Sequence, residues 1–169
     1  MQLARVVVLV LFACSKKSAP EDKPPAKPER VPLACPSGTG EKHKPWRQQV
    51  SPGVVFTEGE QAWCERPDGT RHGPLRITYM NGKRAAEGAY ENGAREGAWT
   101  VWYGDGPKAT EETWRHGQRH GAWRSFTTDG RPWGEATFED GKITEWIEYD
   151  EHGGKRVVDK QPEVKPIDE

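Results

Sequence analysis

Asn81-Gly82-Lys83-Arg84-Ala85-Ala86-Glu87-Gly88-Ala89-Tyr90-Glu91-Asn92-Gly93-Ala94-Arg95-Glu96-Gly97-Ala98-Trp99 carries the local pattern from which the fold follows. Its glycines return along the chain at a fixed interval of 24 residues, as Gly69, Gly93, Gly117 and Gly141, as Gly82, Gly106, Gly130 and Gly154, and as Gly73, Gly97 and Gly121. Glu87, Glu111 and Glu135 keep the same interval. So do an aromatic slot, Tyr90, Trp114 and Phe138, and a large apolar slot, Leu75, Trp99, Trp123 and Ile147. A period of this length marks an array of small supersecondary units. It runs from Pro67 to Lys155.

Each unit holds two turn signals. One is Asn81-Gly82, Asp105-Gly106 and Asp129-Gly130; the other is Asp68-Gly69, Asn92-Gly93, His116-Gly117 and Asp140-Gly141. Asn-Gly and Asp-Gly supply the positive φ angles of type I′ hairpin turns. The turn glycines are alternately 13 and 11 residues apart, room for short strands. The segments between them, such as Trp99-Thr100-Val101-Trp102-Tyr103, are β-prone and carry no helical period. The expected fold is therefore all-β: an elongated antiparallel meander of about eight or nine short strands joined as hairpins.

A two-residue loop at Asn81-Gly82 sets Met80 opposite Lys83 and Arg76 opposite Glu87. The same rule sets Arg124 opposite Glu135 and Phe126 opposite Trp133. The other turn class brings Tyr90 near Arg95 and Trp114 near Arg119, as aromatic–guanidinium pairs. Strand alternation then gathers Leu75, Ile77, Tyr79, Tyr90, Trp99, Val101, Tyr103, Trp114, Trp123, Phe138, Ile147 and Tyr149 on one face. Arg76, Glu87, Thr100, Glu111, Arg124 and Glu135 fall on the other, with Trp102, Phe126 and Trp133 as apolar exceptions. A single sheet with one aromatic face must cover that face or use it. Tyr79, Tyr90, Trp99, Tyr103, Trp114, Trp123 and Phe138 are accordingly the candidate binding face, core packing being the other role open to them.

The run from Asn81 to Trp99 resembles the bacterial variant of the MORN repeat, whose unit reads roughly NGK, EG.Y.NGK, G.W and Y in order. The pattern recurs from Asp105 to Trp123 and again from Asp129, about half the chain. In the last unit Thr144-Glu145 replaces the small-Gly step and Trp146 stands one place off the apolar slot, as suits a terminal cap. Many chains with this repeat are catalogued as antitoxin-like components of toxin–antitoxin systems, and eukaryotic relatives are scaffolds that approach membranes. The resemblance carries over no catalytic residue.

Residues 1–13 read as a signal peptide: Arg5 precedes the unbroken apolar run Val6 to Phe12. Seven residues are too few for a spanning helix, which needs ~20. The run ends in Leu11-Phe12-Ala13-Cys14, which resembles a bacterial lipobox and implies cleavage before Cys14 and lipidation there. Ser15 would direct such a lipoprotein to the outer membrane. With Cys14 lipidated, Cys35 and Cys64 remain as an even pair, expected to form one disulfide in an oxidising envelope. Closing that loop contributes about 3–4 kcal/mol. Residues 14–34 form a lipidated Cys and Pro-rich disordered tether, 35–61 an N-terminal cover pinned to the first strand, 62–158 the repeat sheet and 159–169 a disordered tail. Val54-Val55-Phe56 is a further candidate strand.

The 25 basic and 26 acidic residues cancel to a net charge of −1, so no global field draws nucleic acid or an anionic membrane. Ser37-Gly38-Thr39-Gly40-Glu41-Lys42 lacks the spacing of a phosphate loop. No His, Cys and Asp group has metal-ligand spacing, and His72 and His120 share a repeat slot with Glu96, which points to a structural role. Glu87 and Glu135 are read as ion-pair partners of Arg76 and Arg124 rather than acid–base catalysts. The expectation is a non-enzyme without cofactor or metal: a membrane-tethered binding or scaffold module for an envelope protein or cell-wall component. An intracellular antitoxin-like protein and a direct lipid-binding array are the alternatives.

Overall fold

The structure, a computed structural model, describes residues 31–51 and 54–158. Among these the chain forms ten strands and no helix: β1 (Gly40–Ser51), β2 (Val54–Glu65), β3 (Arg71–Tyr79), β4 (Arg84–Glu91), β5 (Ala94–Trp102), β6 (Lys108–Arg115), β7 (Gln118–Phe126), β8 (Pro132–Glu139), β9 (Lys142–Tyr149) and β10 (Lys155–Val157). They lie in one antiparallel sheet in chain order. The expected meander is the fold, with ten strands rather than eight or nine. The surplus comes from residues 40–61, expected as a cover. They instead enter β1 and β2, a hairpin of two 12-residue strands that extends the sheet and includes Val54-Val55-Phe56. The signal peptide, Cys14 and the tail from 159 lie outside the described residues.

What does lie against the sheet is the short lead-in before β1. Cys35 is disulfide-bonded to Cys64 of β2, with Cα atoms 5.5 Å apart. Cys64 is only 1% exposed. Pro36 sits so close over Gly73 that a Cβ there would collide with it. Further up, Val31 O accepts from Arg76 at 2.9 Å and Leu33 N donates to Glu41 at 3.1 Å. The bond thus holds residues 31–36 against β1, β2 and β3.

The two turn classes differ in conformation. Asn92, His116 and Asp140 have positive φ, as do Gly93, Gly117 and Gly141 after them. These are the type I′ loops expected, closed by Glu91↔Ala94, Arg115↔Gln118 and Glu139↔Lys142. The Asn81, Asp105 and Asp129 turns are not, and neither is Asp68-Gly69. There only the glycine has positive φ. The turn spans one residue more: Gly82 N bonds Tyr79 O and Tyr79 N bonds Lys83 O, so Met80 does not face Lys83. Arg76 still meets Glu87 because a bulge restores the register. The bulge's extra residue is Ala85 in β4, Ala109 in β6 and Trp133 in β8, again 24 apart. Phe126 therefore pairs with Pro132, not Trp133.

A second, wider bulge recurs in the other hairpins. Between Glu87↔Thr100 and Ala89↔Glu96, and between Glu112↔Trp123 and Trp114↔Arg119, one strand gains two residues on the other. Gly97 and Gly121 absorb the bend with positive φ. In β8–β9 the gain is one residue, Phe138↔Ile143 to Thr137↔Glu145. One residue fewer reverses which face each later side chain takes. Trp146 therefore lands on the aromatic face opposite Ala136, and Ile147 pairs with Glu135 on the other face, correcting its expected place.

Adjacent units are also tied at both edges of the meander. Gly93, Gly117 and Gly141 each donate a backbone N–H to the carbonyl of Arg71, Arg95 and Arg119 respectively, at 2.8–3.0 Å. At the opposite edge the hydroxyls of Tyr79 and Tyr103 donate to Trp102 O and Phe126 O, at 2.6 and 2.7 Å. These bonds repeat because their donors and acceptors do.

Candidate functional site

Leu75, Tyr90, Trp99 and Trp114 form one buried cluster, with Trp63 and Ile77 packed on it. Trp123, Ala136, Phe138 and Trp146 form another, with Ile143 and Val158 packed on it. Five of the seven candidate residues, Tyr90, Trp99, Trp114, Trp123 and Phe138, are thus buried in the aromatic face. Tyr79 and Tyr103 are half-buried and spend their hydroxyls on the inter-unit bonds already described.

Guanidinium groups lace this face. Arg71 lies over Trp63 at 5.0 Å and over Tyr90 at 5.2 Å. Arg95 lies over Trp99 at 4.6 Å and Trp114 at 4.8 Å. Arg119 lies over Trp114 at 5.1 Å and Phe138 at 5.7 Å. The three arginines are 24 residues apart, a periodic slot of which the sequence reading used only Arg95 and Arg119. Tyr90↔Arg95 and Trp114↔Arg119 are register neighbours as expected. Each cation–π contact contributes about 0.5–2 kcal/mol, more where desolvated. The slot's fourth occupant is Ile143, where the ladder ends.

One carboxylate sits among these cations, and the sequence reading missed it. Glu112 is 5% exposed and accepts from Arg119 Nε at 2.7 Å. It occupies the slot of Gly88 and Ala136, small residues under the tryptophans of the neighbouring strand. A carboxylate in a small-residue slot of an apolar face was the available signal. Its neighbour Glu111, on the exposed face beside Lys108, drew the reading instead. Burial lowers the Arg95 guanidinium pKa from its ordinary value; Glu112 opposes that, while Arg119 and Arg71 add to it.

The face is curled. Lys44 of β1 and Glu112 of β6 line one cavity of about 230 Å³. On a flat sheet five strand spacings would separate them by about 24 Å. Trp46 and Tyr79, two strands apart, come within 5.9 Å between ring centroids. The recurrent bulges supply the added twist and bend. The cavity's apolar wall includes Trp46, Leu75, Tyr90 and Trp99, and its polar wall Lys44, Arg71, Arg95 and Glu112.

The opposite face is an ion-pair surface. Arg76 Nε meets Glu87 at 3.3 Å and Arg124 Nε meets Glu135 at 3.8 Å, the pairs expected from register. Trp102, an expected exception there, is buried beneath Arg84 at 4.6 Å. Trp133, also expected there, instead reaches the aromatic face from its bulge: 48% exposed, its ring makes a T-shaped contact with Trp146 at 6.2 Å. His72 Nδ1 accepts from Asn92 N at 3.3 Å, and Glu96, in the same slot, accepts from His116 N at 2.8 Å. Both brace the I′ turn of the adjoining hairpin. Among the described residues no group of three His, Cys, Asp or Glu could hold a metal ion. No protein-family model matches the chain, and no curated protein matches it.

Proposed function

We propose that this chain is a lipid-anchored envelope protein whose repeat sheet binds another envelope protein or a cell-wall component, without catalysis. The observation that carries the reading is the curled aromatic face of β1 to β6, which keeps an open, arginine-lined cavity where a purely structural core would close. Aromatic rings and arginines are the side chains that most often anchor protein interfaces. The Cys35–Cys64 disulfide suits an oxidising compartment, in keeping with export and with acylation at Cys14.

The full chain, immobilised and exposed to envelope extract, is expected to retain a specific component. Arg95→Gln should abolish that retention, while Arg124→Gln, on the opposite face, should leave it intact. Retention that ignores Arg95→Gln overturns the reading. The anchor is tested by intact mass. A chain beginning at acylated Cys14 and gaining two hydrogens on reduction is expected. An unprocessed chain with three free thiols would turn the case toward an intracellular antitoxin-like protein.

A further inference from the structure

The cavity's chemistry narrows what it takes. Its volume of about 230 Å³ falls below the span of roughly 300–1,000 Å³ typical of drug-sized ligands, room for a ring or two and one head group. Its lining carries three cationic side chains, Lys44, Arg71 and Arg95, against one carboxylate, Glu112. That carboxylate is already bonded to a fourth cation, Arg119. Guanidiniums also hold their N–H donors in one plane, which matches the two oxygens of a carboxylate.

We propose that this cavity binds a small organic carboxylate with a flat apolar body. The body packs against Trp46, Tyr79 and Trp99, and the carboxylate lies at Arg71 and Arg95. An entering carboxylate eases the crowding of like charge along the arginine ladder, and the curl of the sheet removes it from bulk water, where its attraction to the guanidiniums would be screened. The inference rests on the binding role proposed above: the carboxylate is the group that the bound component presents.

The test titrates the full chain with 1-naphthoate and, separately, with its neutral isostere 1-naphthamide, followed by calorimetry and by the indole N–H resonances. Naphthoate should bind about tenfold or more tightly than the amide, the worth of one charge-assisted contact. Arg95→Gln should bring naphthoate down to the amide's affinity. Lys44→Ala, on the exposed rim where folding is not at stake, should weaken naphthoate by about twofold to threefold and leave the amide unchanged. Glu112→Gln should tighten naphthoate. Equal affinity for the two probes, or naphthoate binding that survives Arg95→Gln in a folded chain, overturns the proposal. If naphthoate fails to bind while envelope capture stays specific, the carboxylate is wrong and the binding role stands. If naphthoate binds but nothing is captured, the cavity stands and that role falls.

Discussion

The two halves of the aromatic face are built from the same repeat and end differently. Around Leu75, Tyr90, Trp99 and Trp114 the rings alternate with arginines and leave an open cavity of about 230 Å³. Around Trp123, Phe138 and Trp146 the rings close on themselves. Trp123 and Trp146 stack at 5.1 Å, and Ile143 takes the arginine slot. Val158, bonded through its N–H to Trp146 O at 3.1 Å, packs over the end. The hollow there, about 140 Å³, is lined mostly from the ion-pair face, by Arg124, Glu135 and Ile147, with Trp123 the one ring beside it. What separates the halves is two small changes in the last unit, one arginine lost and one bulge residue missing. A repeat array can thus keep one end for packing and leave the other for binding.

The largest effect should come from the closed half. Trp146 is 2% exposed, and Trp146→Ala is expected to cost about 3–5 kcal/mol, read from the urea midpoint. The same change at Trp99 should cost less, because part of its surroundings is already cavity. Equal losses would erase the contrast.

Next is the disulfide. Cys35→Ser with Cys64→Ser should lower stability by about 3–4 kcal/mol in thermal or urea melts. Hydrogen exchange should show the loss in β1 to β3 and spare β8 and β9; uniform loosening would mean that the halves do not open separately.

Gly88→Ala tests the open half more gently. A Cβ there would enter the space of the Trp99 ring, so the ring must shift toward the cavity. The expected cost is about 1–3 kcal/mol, with a changed Trp99 indole resonance. No change would show that the cavity already accommodates other positions of the ring.

The smallest effect is electrostatic and belongs to the closed half. A hydrogen bond from Arg115 holds the Asp140 carboxyl below its ordinary pKa, and one from Arg156 does the same for Glu148. Depressed folded values mean that their contribution is present above the unfolded carboxylate pKa and is lost as pH falls through the folded one. Carboxyl titration by NMR should show both below the ordinary values, and Arg115→Ala should return Asp140 alone toward its own.

The period, the places of the turns, the pairing of Arg76 with Glu87 and of Arg124 with Glu135, and the aromatic character of one face were legible in the residues alone. Those follow from local chemistry: glycines that tolerate positive φ and alternation at period two. Setting Cys14 aside as an expected lipid site, cysteine arithmetic also named the pair that is joined, Cys35 and Cys64. The rest depended on contacts between strands. Whether Trp146 or Ile147 faces the core depends on how many residues a bulge absorbs, and pairing across strands sets that number. The same bulges compensate for a longer turn at Asn81-Gly82, which is why a wrong loop length still yielded the right ion pair. Glu112 reads as one more charge in an acidic run, Thr110-Glu111-Glu112-Thr113. Its burial beside Arg119, and the cavity shared by strands as distant as β1 and β6, exist only once the sheet has curled.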